Sequence, residues 1–279
     1  MPRSLGVTSP IGVVSVHFER QRVMATLRSI GSLRAQVPSS RTVYVANSLD
    51  AMHELRSALG QDLGSDEILL HDNSGWEFGG YQAGLERLVQ SETEWFLFAN
   101  DTFSTHQVFP PEYEQSLLSE LARTVDHPIA VGQIESLRRS FVIAGHRTHR
   151  WITTNIFALN RAALHVLDGR IHDLSIERDI VESRDRSAFF GDDLDPVLRA
   201  HLDAWLFKNG AEAHWYRAQE LRDDNMAWMA KKARSILQEK RLTASLEGAS
   251  AELVDIKEIG LLRELRRRIR LRLGRDPRP

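Results

Sequence analysis

Short apolar runs alternate with stretches of helical spacing along the first half of the chain. Runs at 11–18 (IGVVSVHF), 41–46 (RTVYVA), 68–70 (ILL) and 95–99 (WFLFA) read as buried strands. The first is followed by Met24, Leu27 and Ile30 at helical spacing, and the second by a helical segment over 50–59. After the third, Phe78, Tyr81, Leu85 and Leu88 recur on one face of a 3.6-residue period. After the fourth, Pro110-Pro111 breaks the chain and 112–125 is helical. Strand, loop, helix, strand, repeated, builds a mostly parallel sheet flanked by helices, so the expected fold class is α/β.

The second half is less regular. Strands are expected at 129–134 and 151–159, with a short edge element at 141–142. A helix over 160–167 takes Asn160 as its cap. Residues 168–196 are polar and irregular. An amphipathic segment, 198–207, stops at Asn209-Gly210, and 213–216 reads as a last strand. From Asn225 the pattern is helical to the end. The expected division is a sheet domain over 1–220 and a C-terminal helical extension over 221–279.

Composition narrows the class without naming a function. With 42% hydrophobic and 27% charged residues, this is an ordinary globular chain. It has no cysteine, which removes disulfides, thiolate metal sites and a catalytic thiol, and is compatible with a reducing cytoplasm. No run of about 18 apolar residues predicts a membrane span, and the first apolar run is too short for a secretory signal. The net charge of −2 is uneven. Residues 263–278 carry eight arginines against Glu264 and Asp276, a local +6, which leaves −8 on the rest.

Four successive strands end in polar side chains: His17, Glu19 and Arg20; Asn47 and Asp50; Asp72 and Asn73; Asn100 and Asp101. A parallel sheet gathers such ends at one rim, where ligands of this fold class bind. Each pair also suits an ordinary turn or cap; their clustering favours a site. Gly79 and Gly80 open a helix whose first N–H groups favour an anion, and glycine there lets a ligand approach the backbone. A diphosphate is the expected guest, with a divalent metal shared between it and Asp101.

The order of motifs resembles GT-A glycosyltransferases, in particular the bacterial rhamnosyltransferase and rhamnan-synthesis type. NSGWEFGGYQAGL (73–85) is similar to their Asn-x-Gly-Phe-x-x-Gly-x-x-x-Gly-Leu segment. LFANDTF (97–103) stands where they carry an Asp-x-Asp or Asn-x-Asp metal motif. VANSLD (45–50) resembles their second strand end, with Ala46 in place of the first Asp, and WITTNIFALNRAAL (151–164) their acceptor-side strand and helix. The likeness covers roughly residues 10–215. It implies a GT-A (Rossmann-like) sheet and transfer of a sugar from a nucleotide-sugar donor to a hydroxyl of a glycan or lipid-linked acceptor, as in bacterial surface polysaccharide synthesis. It further implies Asn47, Asp50, Asp72, Asn73, Gly79, Gly80, Asn100 and Asp101 at the donor, with Asp101 on magnesium or manganese. Asn100-Asp101 offers one carboxylate where two are usual.

An inverting transfer needs a base on the acceptor hydroxyl. Such enzymes carry it after the acceptor-side strand, which points to Asp192 or Asp193 in FFGDDLDP; Glu177, Asp179 and Glu182 compete. An Asp ahead of a helix also reads as an N-cap. His146 and His149 flank a basic segment, GHRTHR, that suits phosphate, the acceptor side or plain solvent. Leu262, Leu265, Ile269 and Leu273 form an apolar stripe among the tail arginines. This fits either an interfacial helix on an anionic membrane, placing the enzyme peripherally on its cytoplasmic face, or a helix packed on the body or on the second subunit of a homodimer. Nucleic acid is not expected as a partner of an acidic body without a binding module. Two further readings are a non-catalytic sugar-nucleotide-binding or assembly module and a nucleotidyltransferase, for which no basic signature loop is present.

Overall fold

Seven strands form one sheet in the computed structural model, which describes residues 10–37, 40–61, 63–103, 105, 109–207 and 217–258. They are β1 (Ile11–His17), β2 (Ser40–Ala46), β3 (Glu67–Leu70), β4 (Trp95–Asn100), β5 (Ile129–Ile143), β6 (His146–Asn160) and β7 (Glu252–Asp255). Their order is β3-β2-β1-β4-β6-β5-β7. β1 pairs in parallel with β2 and β4, β2 with β3, and β5 with β7; β6 runs antiparallel to both neighbours. This is the expected α/β architecture.

β1 is buried at every position because both faces of the sheet are covered. Val14 and Val16 pack with Phe96 and Phe98 of β4 beneath α3 (Trp76–Leu88), while Ile11 and Val13 pack on the other face with Ile30 and Leu33 of α1 (Arg20–Ala35) and Leu117 and Leu121 of α4 (Pro111–Leu121). Each such side chain contributes about 1.5–3 kcal/mol on burial. α2 (Leu49–Leu59) lies beside β2, with Ala51 and Leu55 against Tyr44 and Ala46. α5 (Arg161–Val166) follows β6, its cap Asn160 accepting from the Ala163 amide as expected. Irregular chain with a short helix α6 (Arg186–Phe189) leads to α7 (Pro196–Leu206) and the 23-residue α8 (Met226–Gly248).

α8 is tied along β6 by three rungs. Glu239 accepts from the Thr154 amide (3.1 Å), Thr243 Oγ1 accepts from the Ile152 amide (2.9 Å), and Glu247 accepts from Thr148 and Arg150. Four helical residues rise about 6 Å and two strand residues about 6.6 Å, so positions one turn apart stay in step with alternate strand positions. α8 therefore covers the antiparallel half of the sheet and also contributes Leu242 and Leu246 to its core.

Three expectations need correction. The strands at 129–134 and 151–159 are parts of two 15-residue strands, joined by a turn at Ala144 (φ 50°) and Gly145 (φ 77°). Exposed Arg138, Arg139, Arg147 and His149 interrupt the apolar pattern there, and the pairing slips between Ser136 and Phe141. Second, the helix from residue 225 stops at Gly248, and residues 252–255 form the edge strand β7 on β5. Third, the segment after the expected boundary at 220/221 is not helical throughout: α8 adds Leu242 and Leu246 to the core and β7 pairs with β5. The expected strand at 213–216, the Asn209-Gly210 stop and the arginine-rich 263–278 lie outside the described residues. Among the described residues, no helix is long and apolar enough to cross a membrane.

Candidate active site

The ends of β1, β2, β3 and β4 are in register, with His17 opposite Ala46, Ala46 opposite Leu70, and Val16 opposite Asn100. A cleft of about 900 Å³ opens at this rim. Phe18, Asn73, Trp76 and the Asn100-Asp101 turn wall it on the sheet side, and one face of α8 closes the other. Its size lies within the usual range for ligand sites.

Asp101 is the best-defined polar group of the cleft. It is fully buried, and its Oδ2 accepts from the Phe18 and Glu19 amides, both at 2.9 Å, so it fastens the β1–α1 turn to the end of β4. Its Oδ1 is buried with no hydrogen-bond partner, and the nearest cation, Arg22 Nη1, is 3.8 Å away. Burial raises the carboxyl above its ordinary pKa, against the two amides and Arg22, which favour the charged form. An orphaned carboxylate oxygen in a cleft wall fits the single-carboxylate hold typical of magnesium, completed by phosphate oxygens and water. Among the described residues, no three His, Cys, Asp or Glu side chains assemble a metal site by themselves.

The glycine cradle is not there. The Gly79 amide donates to Gly75 O at 3.1 Å inside α3. A Cβ on Gly79 would meet Ser74 O at 1.8 Å, and one on Gly80 would meet Val16 side-chain carbons at 2.9 and 3.0 Å. These glycines let α3 pack closely on its own N-terminal loop and on β1, and neither borders the cleft. The helix start is instead occupied by Glu77, whose carboxylate accepts from Ser235 Oγ.

The other expected donor residues divide. Asn100 and Asn73 line the cleft. Asn100 Oδ1 accepts from the Thr102 amide at 3.0 Å and shapes the turn. Asn47 is buried behind that surface, donating to Asn73 Oδ1 and to Trp76 O, both at 3.2 Å. It steadies a strained loop in which Asn73 (φ 62°), Gly75 (φ 66°) and Trp76 (φ 51°) are all left-handed. A tryptophan in that region is held against a steric cost, and here the loop presents the Trp76 ring to the cleft. Asp50 is exposed in the first turn of α2, and Asp72 is exposed with Oδ1 closing a turn onto the Ser74 amide (2.9 Å); neither lines the cleft. His17 is fully buried, bonded to Ser15 Oγ, and burial drives its pKa down to about 3.

The expected bases lie elsewhere. Asp192 and Asp193 are exposed ahead of α7, outside the cleft wall, with Asp192 3.8 Å from Arg199. The helix cap in that segment is Asp195, which accepts from the Val197 and Leu198 amides. Of the competitors, Glu177 pairs with His172 (2.6 Å), Glu182 pairs with Arg234 (2.9 Å), and Asp179 is raised by burial and by neighbouring Asp193. None of the three borders the cleft, nor do His146 and His149, which sit on the strand β6.

What the sequence pattern did not single out is α8. Trp228, Lys231, Lys232, Ser235, Glu239 and Lys240 fall on successive turns of the helix and face the cleft. Four of the six tryptophans, Trp76, Trp151, Trp205 and Trp228, line it. Lys232 Nζ sits 5.8 Å from the Trp76 ring and 6.0 Å from Trp205, and Trp76 and Trp228 are 6.4 Å apart. Lys240 is wholly buried, 3.3 Å over the Trp151 ring and 3.2 Å from Glu239 Oε1; burial brings its pKa down to about 8, with Glu239 opposing. Beneath the floor the Tyr81 hydroxyl donates to Thr154 O at 2.6 Å. Its pKa is pushed well up, first by burial and then by the charges of Glu77, Asp101 and Glu239, with Asn100 opposing. No protein-family model matches the sequence, and a search of curated proteins finds no significant relative.

Proposed function

We propose that the chain is a glycosyltransferase that moves a sugar from a nucleotide-sugar donor to a hydroxyl of a glycan or lipid-linked glycan. One observation carries the reading: a buried aspartate with one unpartnered oxygen, Asp101 Oδ1, in the wall of a tryptophan-lined cleft at the strand ends. Supporting it are the cleft's mixed chemistry and the strained Trp76 loop. Aromatic rings suit the faces of a nucleobase or a sugar, and Arg22, Lys231 and Lys232 suit a diphosphate.

Transfer breaks the bond between the anomeric carbon and the diphosphate, and the leaving oxygen takes the electron pair. Preorganised positive charge at that oxygen lowers the barrier. Asp101 would hold a divalent cation, magnesium or manganese, which when bound supplies such charge. Arg22 and the α8 lysines supply further charge from the chain itself. Asp101 Oδ2, by gripping two amides, fixes the β1–α1 turn and hence Phe18 and Arg22 at the cleft. The proposal extends to an anionic membrane surface bound through residues 263–278, tested by co-sedimentation of the full chain with anionic and neutral vesicles.

The deciding experiment measures nucleoside diphosphate release from UDP-glucose, dTDP-rhamnose and GDP-mannose, with and without manganese. Release by the wild type and its loss in Asp101→Asn supports a transferase. Thermal stabilisation by UDP, dTDP or GDP without any release identifies the non-catalytic binding module instead.

A further inference from the structure

Among the described residues, six carboxylates line the cleft: Glu19, Glu77, Asp101, Glu135, Asp224 and Glu239. Glu135 and Asp224 have side chains 53% and 74% exposed and are paired to Lys257 and Arg222. Glu19 is ion-paired to Arg22 (3.1 Å) beside Asp101, and Glu77 sits in the first turn of α3, on the half of the cleft nearest the parallel strands. Two carboxylates stand on the antiparallel side: Glu135, opposite Trp151 in the β5–β6 pairing and 53% exposed, and Glu239, 17% exposed among Trp151, Thr153, Thr154 and Lys240.

A donor seated at the ends of β1, β2 and β4 leaves this side for the second substrate. Here Glu239 is held in one orientation, with Oε2 accepting from the Thr154 amide (3.1 Å) and hydroxyl (3.2 Å) and Oε1 accepting from Lys240 (3.2 Å). Oε1 retains a lone pair for one further donor. Thr154, which positions Glu239, also receives Asn100 Nδ2 on its carbonyl at 3.4 Å, which ties this carboxylate to the Asn100-Asp101 turn. A carboxylate fixed in this way can act as a general base on an acceptor hydroxyl that comes within hydrogen-bond reach of Oε1.

We propose, on the basis of the sugar-transfer reading, that Glu239 takes the proton of the acceptor hydroxyl, with Thr154 and Lys240 as positioning residues. In the step the acceptor oxygen bonds to the anomeric carbon, the bond from that carbon to the diphosphate breaks, and the hydroxyl proton moves to Glu239 Oε1. This assigns the antiparallel side of the cleft, around β6 and α8, to the acceptor.

The test uses the full chain and the donor from the panel of UDP-glucose, dTDP-rhamnose and GDP-mannose that the wild type turns over, with water as acceptor. Glu239→Gln and Glu239→Ala should lower the rate about 10²- to 10⁴-fold while UDP, dTDP or GDP still raises the melting temperature. Sodium azide, a nucleophile with no proton to lose, should restore diphosphate release in Glu239→Ala and yield the glycosyl azide; chloride should not. A merely structural Glu239 would not respond to azide. Retained turnover within about threefold, no rescue by azide, or rescue of Glu77→Ala in place of Glu239→Ala overturns the assignment. Absence of wild-type turnover for every donor overturns the sugar-transfer reading itself, a different result.

Discussion

Replacing Asp101 in two ways separates its two oxygens. Asp101→Ala removes both, and leaves the Phe18 and Glu19 amides without their acceptor. An unsatisfied buried donor costs about 1–3 kcal/mol, so the pair costs roughly 2–6 kcal/mol. Against a typical total of about 5–15 kcal/mol this is a large loss, and for a chain of this size it lowers Tm by roughly 3–10 °C. Asp101→Asn keeps a carbonyl oxygen for both amides and changes only the charge and the Oδ1 position. The weaker neutral bonds are offset by removal of a buried charge. Burial already raises the Asp101 carboxyl, so its ionised form carries a cost at neutral pH that fades as pH falls through the folded-state pKa, is gone below the unfolded-state value, and is absent from the amide. The expected change in stability is within about 1.5 kcal/mol. Urea denaturation followed by circular dichroism measures both variants, and diphosphate release measures function. Asp101→Asn should fold normally and lose turnover; Asp101→Ala should lose both. Full turnover in Asp101→Asn would refute a functional Oδ1, and an undisturbed Asp101→Ala would refute the structural role of Oδ2.

Gly84→Ala places a Cβ 2.4 Å from Val14 Cγ1 and should cost about 1–3 kcal/mol by overpacking, read as a lower urea midpoint. Lys240→Met should raise Tm at pH 7, because the buried ammonium titrates at about 8, below its ordinary value. The unfolded chain then binds more protons between pH 8 and about 10.4, so wild-type stability rises with pH through that window. Lys240→Met should lose that slope in a pH series of melts; an unchanged slope would contradict the burial. Asp192→Ala and Asp193→Ala, exposed and outside the cleft, should each keep diphosphate release within about threefold.

The parallel half of the sheet was legible because β1 and β4 are buried throughout and β2 along most of its length, and they appear as compact apolar runs. The β5–β6 hairpin was not, because beyond the sheet proper its strands carry exposed Arg138, Arg139, Arg147 and His149 and follow no simple alternation. β7 is four residues immediately after a long helix, too short to break the helical reading. At the site, Asp101 was readable as a polar residue directly after a buried run. Gly79 and Gly80 were misread because a glycine needed for close packing and one needed for ligand approach look the same in sequence. Gly84, one turn on from Gly80 and against Val14 and Val45, points to packing. The α8 residues escaped notice because lysines and glutamates at helical spacing ordinarily mark a solvated face. Only the rungs to Thr154, Ile152 and Thr148 turn that face inward.

The most direct measurement is nucleoside diphosphate release from the panel of UDP-glucose, dTDP-rhamnose and GDP-mannose by wild type and Asp101→Asn side by side. The account predicts that the wild type consumes at least one donor and that the variant, equally folded, does not. Equal release by both proteins, or neither release nor thermal stabilisation of the wild type by UDP, dTDP or GDP, would contradict it.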